Sequence, residues 1–198
     1  MSRFIETIKL LNGKFYLLDY HQRRMDQTRV HFFKKTNGLD LKSYLVEMNV
    51  PAKGLFKCRI VYDEHLLAVE FLPYSIKPVR SLQIVQADSI QYSFKYEQRH
   101  SLTHLFEKRG SCDEIIIVKL NQVTDATYAN LVFYNGNEWL TPTSYLLNGI
   151  MRQYLLDQEI IRSTKISLKD IPKFEKVKLI NSMLGFEGAE IPFSQIKF

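Results

Sequence analysis

Cysteine is scarce in this chain of 198 residues: Cys58 and Cys112 are its two. The five histidines form no HExxH pattern and the cysteines no paired motif, so no structural or catalytic metal is expected. With two cysteines and no signal-peptide pattern at the start, a disulfide is not expected and a reducing cytoplasm is the expected compartment. There is no Gly-rich nucleotide loop and no GxSxG elbow, which removes two common catalytic frames. No apolar run approaches the roughly 20 residues that a helical membrane span needs. Internal repeats and low-complexity segments are also absent.

Apolar residues make up 45% of the chain, enough for a sizeable core. The net charge is +6, but Lys and Arg are scattered among Asp and Glu, with short doublets such as Arg23-Arg24 and Lys34-Lys35. That pattern favours a solvated surface with some affinity for anionic small molecules over a nucleic-acid interface.

Taken in order, residues 4–11 alternate in part as a strand and Asn12-Gly13 reads as a hairpin turn. Residues 14–18 return, and Asp19 is placed to cap a helix running to about Lys35, ended by Asn37-Gly38. A shorter helix over residues 39–50 stops at Pro51. Residues 54–62 and 65–73 alternate as two strands around Asp63-Glu64, and 79–85 form another. A boundary is expected near residue 88. It divides a small α/β domain with a largely antiparallel sheet, residues 1–88, from a larger one, residues 89–198. The fold class is therefore α+β, in two domains. The second domain reads as a helix over 100–108, strands at 115–118, 160–166 and 177–180, and a helical turn that Ser167 and Asp170 cap.

The chemistry concentrates between Asp113 and Asp157. The segment VTDATYANLVFY sets a carboxylate, Asp125, five residues before an amide, Asn130. After Asn135-Gly136-Asn137, a short strand and Pro142, Asn148-Gly149 leads into the helical pattern IMRQYLLD. A helix entered through Gly presents free backbone N–H groups and the positive end of its dipole, a cradle for phosphate. A carboxylate on a strand and an anion cradle on a following helix suit a cofactor with a cationic ring nitrogen and a phosphate.

This order resembles the fold-type IV pyridoxal-phosphate enzymes, aminotransferase class IV, on four features. They are the carboxylate–x4–Asn-Leu segment, Thr141-Pro142, the run Asn148-Gly149-Ile150-Met151-Arg152, and Phe4-Ile5-Glu6-Thr7 with His21 and Arg24 on the first helix. The resemblance implies a D-amino-acid-aminotransferase-like fold, a homodimer and pyridoxal 5'-phosphate. It makes Lys95 the Schiff-base lysine, with Arg99 four residues on as in 4-amino-4-deoxychorismate lyase, and Lys119 as the rival. A lysine forms that bond only when unprotonated, so burial or a neighbouring cation is required. By the same resemblance Arg59, on a strand, takes the phosphate through its planar guanidinium, aided by the turn Gly149, Ile150 and Met151 and by Ser182. Asp125 stands where relatives carry Glu, one methylene longer, facing the pyridine nitrogen. His21 and Arg24 read as packing residues, Asn130 as a structural amide, and Arg152 as a helix-surface or dimer-contact residue. Relatives begin with another strand and loop, whereas Met1, Ser2 and Arg3 alone precede Phe4, which leaves substrate choice open. Arg99, the Asn-Gly-Ile-Met-Arg run and the lack of a carboxylate-clamping loop favour the lyase, with pyruvate and 4-aminobenzoate as products. The alternatives are an aminotransferase for branched-chain or D-amino acids and a degenerate, non-catalytic binding protein. Neither nucleic acid nor membrane is an expected partner.

Overall fold

The computed structural model describes residues 2–35 and 38–198. The chain divides into two compact units, Met1–Ile76 with Phe94–Gln98, and Lys77–Ser93 with Arg99–Phe198. The boundary expected near residue 88 falls inside the second unit. The reason is strand pairing: residues just before 88 are bonded into that unit's sheet, and Ala87 N–H donates to the Val118 carbonyl at 2.8 Å.

The first unit is built on an antiparallel sheet of order β2-β1-β3-β4. Its strands are β1 (Phe4–Leu11), β2 (Lys14–Phe15), β3 (Leu55–Tyr62) and β4 (Leu66–Pro73). Asn12 and Gly13 both take positive φ, 48° and 77°, and close the β1–β2 hairpin as their residue types favour. On β1 the alternation sends Phe4, Ile8 and Leu10 inward. The register aligns Phe4 with Tyr62 and Ile8 with Cys58, so β3 adds its buried side chains to the same face. Met25 of α1 (Leu18–Phe33) and Leu41 and Leu45 of α2 (Leu41–Val46) complete this core. Each such large apolar side chain contributes about 1.5–3 kcal/mol when fully buried.

Helix ends differ from expectation. Leu17, in the left-handed region at φ 55°, starts α1, and no side chain caps it. Asp19 lies inside the first turn, where its charge complements the helix dipole rather than capping. At the other end Lys34, φ 57°, turns the chain out and donates its N–H to Arg29 and Val30 carbonyls. Asn37, expected at that stop, lies outside the described residues. α2 starts at Leu41 because Asp40 caps it, accepting from Lys42 N–H at 3.0 Å and Ser43 Oγ at 2.6 Å, and it ends at Val46, short of the expected residue 50.

Residues 94–98, expected as part of the second domain, belong to the first unit. They run antiparallel beside the start of β1. Ile5 N–H donates to the Lys95 carbonyl at 3.0 Å, Glu97 N–H donates to the Arg3 carbonyl at 2.9 Å, and Tyr96 faces Phe4. The rings of Phe94 and Tyr96 join Phe4 and Phe32 in the apolar layer under α1.

The second unit holds two sheets. One has the order β13-β5-β6-β7, from β5 (Leu82–Gln86), β6 (Glu114–Lys119), β7 (Gln122–Val123) and β13 (Ile196–Lys197). β5 and β6 are parallel, so a crossover must join them, and α3 (His100–Glu107) lies on it. Residues 115–118 of β6 are fully buried, which explains their unbroken apolar run. The other sheet has the order β10-β9-β8-β11-β12. It contains β8 (Asn130–Tyr134), β9 (Trp139–Pro142), β10 (Arg162–Thr164), β11 (Lys176–Ile180) and β12 (Ile191–Pro192), with α4 (Ile150–Asp157) following β9. β10 starts later than the expected residue 160. The chain leaves α4 through a left-handed Glu159, and Ile160 N–H stays bonded to the Leu155 carbonyl at 2.9 Å. Ser167 and Asp170 form a complete capping box on a 3-10 turn, Leu168–Lys173. Among the described residues no helix is long and apolar enough to cross a membrane.

Candidate active site

In the second unit Asp125 is the hub of a buried hydrogen-bond network. Its Oδ2 accepts from the backbone N–H groups of Leu146 at 3.0 Å and Leu147 at 2.9 Å, and its Oδ1 from Asn130 Nδ2 at 2.7 Å. Asn130 Nδ2 also donates to the Leu147 carbonyl at 2.9 Å, and its Oδ1 accepts Gly149 N–H at 3.1 Å. These bonds fold residues 146–149 onto the end of β8 and aim the start of α4. Asn130 thus has the structural role that its residue type implied. Gly149 sits at an ordinary φ of −68°, so its need is steric: an added Cβ would enter the Asn130 amide. Burial pushes the Asp125 carboxyl up to about 6, against the donors from Leu147, Asn130 and Leu146 that favour its charged form.

The amide groups that open α4 have no acceptor within the helix, as at any helix start. Gly149 N–H is held by Asn130, so Ile150 and Met151 are the donors of the expected turn that face outward along the helix axis. Arg152 is not a surface residue. It is buried, donating to Asn148 Oδ1 and the Pro142 carbonyl, both at 3.0 Å, with its guanidinium 4.3 Å from the Tyr145 ring centroid. It ties the loop between β9 and α4 to the helix. Ser182 stands half-buried on the turn after β11, which Asn181 shapes by accepting Met183 N–H at 2.8 Å and Leu184 N–H at 2.9 Å.

Arg99 donates through Nη2 to the Thr127 carbonyl, and its charge acts on Glu114. Glu114 is buried. It accepts Ile115 N–H at 2.8 Å and Thr127 Oγ1 at 2.7 Å, and burial raises its pKa. Arg99 is therefore bound to the backbone two residues beyond Asp125. Lys119 spends its ammonium on the Ile90 carbonyl at 2.6 Å.

In the first unit Lys95 is half-buried on the pass beside β1. Arg59 is held between two carboxylates, with Nη1 2.8 Å from Glu70 and Nη2 2.8 Å from Glu97. A phosphate would have to compete with both. A second guanidinium, Arg24, faces a fully buried carboxylate: its Nε is 2.8 Å and its Nη2 2.5 Å from the two oxygens of Glu6. His21 Nδ1 lies 2.5 Å from the same carboxylate. Burial raises the Glu6 pKa, but Arg24 and the hydrogen bonds outweigh it and bring the group down to about 2. Burial lowers the His21 pKa, Glu6 opposes this, and the charges of Arg24 and Lys95 add to the lowering. Lys95 and Arg24 thus share an electrostatic neighbourhood. Sequence reasoning assigned no role to Glu6. Its signal was a carboxylate at an inward position of an apolar strand, with a His and an Arg three apart on the next helix.

Residues 99–189 match the family model of amino-transferase class IV. An uncharacterised protein of Haemophilus influenzae is 35% identical over 187 residues, covering 93% of this chain and all of that one. A crystal structure of a candidate 4-amino-4-deoxychorismate lyase from Haemophilus somnus 129PT is 33% identical with a TM-score of 0.88. The match covers 94% of this chain and 98% of that one. The chain belongs to the amino-transferase class IV family. The fold extends further: a hypothetical aminotransferase from Mycobacterium tuberculosis, in a PLP-bound form, superposes with a TM-score of 0.77 at 15% identity. There the match covers 96% of this chain and 80% of that one. The mixed helix-and-strand class IV fold expected from the sequence is the fold observed.

Proposed function

We propose that this class IV protein is a pyridoxal-phosphate-dependent lyase that converts 4-amino-4-deoxychorismate to 4-aminobenzoate and pyruvate. The observation that carries this reading is the 33% identity, over nearly the whole of both chains, to the candidate lyase of Haemophilus somnus. A cytoplasmic homodimer working in folate synthesis is part of the same proposal.

The donor set fits the cofactor. A carboxylate offers about four lone-pair sites, and three at Asp125 are filled. The fourth, on Oδ1, is left for a ring N–H. That cation would also draw the Asp125 pKa back down from about 6. The start of α4 supplies N–H donors of Ile150 and Met151 for a phosphate, with Ser182 as a hydroxyl donor. Arg59 and Arg24 are each held by carboxylates, Arg59 by Glu70 and Glu97 and Arg24 by Glu6, so either would have to give up an ion pair to take the phosphate.

When bound, the cofactor supplies a cationic ring that takes up the electron pair released when the carbon beside the substrate amine loses its proton. Asp125 would hold the proton on the ring nitrogen. Lys95 is the residue that would bind the cofactor covalently, its amine being set free once substrate is bound. Its freed amine then takes the proton from the substrate ring carbon and acts as general base and acid. Lys95 is half-buried, which limits the access of water to its side chain. Loss of the ring proton and cleavage of the neighbouring ring C–O bond aromatise the substrate and release the side chain as enolpyruvate, which takes up a proton to become pyruvate.

The test is incubation of the PLP-loaded protein with aminodeoxychorismate. Equal amounts of 4-aminobenzoate and pyruvate are expected. Amine transfer to a 2-oxo acid without pyruvate release would replace the lyase by the class IV aminotransferase, the second reading that the family match favours. Neither activity would leave the non-catalytic binding protein, for which Asp125 in the place of Glu is the supporting observation.

A further inference from the structure

Arg59 sits on β3 opposite Thr7 of β1 and Glu70 of β4. The pass carrying Lys95 lies on the other edge of β1. From β3 to that pass is two strand spacings, roughly 9–10 Å, and Glu97, opposite Arg3, is also set four residues along β1 from Thr7, so Arg59 and Glu97 both extend to meet. The Arg59 guanidinium spans this gap. One amino group meets Glu70 and the other crosses β1 to Glu97, each at 2.8 Å. Glu97 is further tied to Arg3, through its own N–H to the Arg3 carbonyl at 2.9 Å and through Oε2 to the Arg3 guanidinium at 3.9 Å.

Lys95 and Glu97 flank Tyr96, whose ring is packed against Phe4 on the helix side of the sheet. Strand periodicity puts both on the opposite side, where the register also puts Arg59. The backbone bonds of this pass to β1 are few, Ile5 to Lys95 and Glu97 to Arg3, and the segment is too short for a regular ladder. The rings of Phe94 and Tyr96 anchor one side of this segment in the core, and the Arg59–Glu97 tie holds its other side.

We infer that Arg59 is a positioning residue for Lys95: by bridging Glu70 and Glu97 it clamps the lysine-bearing pass to the sheet. This inference rests on the proposed role of Lys95 and gives Arg59 a different task from phosphate binding. An exposed ion pair couples weakly, but this guanidinium joins two carboxylates on separate elements and is about three-quarters buried.

Hydrogen–deuterium exchange of the cofactor-free protein reads the clamp at the Ile5 and Glu97 amides. Arg59→Gln and Glu97→Gln each speed exchange there about fivefold, and the double variant adds little to either. Arg59→Lys restores most of the protection, while the β3–β4 amides keep wild-type rates. The rate at which added pyridoxal phosphate becomes trapped on Lys95 by borohydride falls severalfold in Arg59→Gln. Wild-type exchange in both single variants overturns the inference. So does faster exchange with an unchanged trapping rate, which reduces the clamp to a structural tie. An adduct on another lysine in the wild-type protein overturns it through the functional reading instead, independently of the exchange result.

Discussion

Replacing Asp125 with Ala removes a carboxylate that three buried donors point at. Leu146 N–H, Leu147 N–H and Asn130 Nδ2 lose their acceptor at once. Each dry, unpaired donor costs about 1–3 kcal/mol, and water entering the vacated space brings the set to roughly 5 kcal/mol. The carboxylate itself is buried at a cost, and its removal gives part of this back. Its rise from 3.8 to about 6 corresponds to about 3 kcal/mol against the charged form. The net loss at pH 7.5 is therefore about 2–3 kcal/mol. The sign of the pH dependence follows from the raised pKa. The folded protein keeps the Asp125 proton up to about pH 6, whereas the unfolded chain releases it near 3.8. The penalty is fully present above pH 6 and fades as the pH falls toward 3.8. Asp125→Ala has no such group, so its cost relative to wild type grows on acidification, by up to about 3 kcal/mol. Urea unfolding followed by the fluorescence of Trp139, the sole tryptophan, measures this in the second unit. A cost below about 0.5 kcal/mol at pH 7.5, or one that shrinks as the pH falls, would refute the reasoning.

Three further outcomes are expected. Gly149→Ala drives its Cβ into the Asn130 amide and breaks the Asn130–Gly149 bond, so stability falls by about 2 kcal/mol or more, read by the same unfolding assay. Glu6→Gln leaves Arg24 and His21 facing a neutral amide inside the first unit, at a cost of about 3–5 kcal/mol, measured by calorimetry. Burial pushes the Cys58 thiol up to about 12, so the folded protein resists alkylation of Cys58 by iodoacetamide at pH 8 and reacts only on unfolding, which peptide mass mapping follows.

Local signals carried much of the fold. The pattern IMRQYLLD is α4, Ile150–Asp157, because Gly149 and Asn148 stop the chain before it and its apolar residues recur at helical spacing. The run at 115–118 is a buried strand, and the Ser167–Asp170 pair closes its capping box, since both depend on residues within a few positions. What stayed hidden depends on distant partners. Nothing within residues 94–98 tells that they pair with β1, some ninety residues earlier. Arg59 looked available to a phosphate until Glu70 and Glu97, 11 and 38 residues away, closed on it. Arg152 read as a surface residue because arginines usually are; two carbonyl-type acceptors and the Tyr145 ring make its burial tolerable. Asp125 was visible as a motif residue, but its bonds to Leu146 and Leu147 come from a loop that folds back across the sheet.

The most direct test of the functional account is borohydride reduction of the purified protein with added pyridoxal phosphate, followed by peptide mass mapping. The account predicts one phosphopyridoxyl adduct, on Lys95. No adduct with the protein folded and the cofactor in excess, or an adduct on Lys119 in place of Lys95, would contradict it.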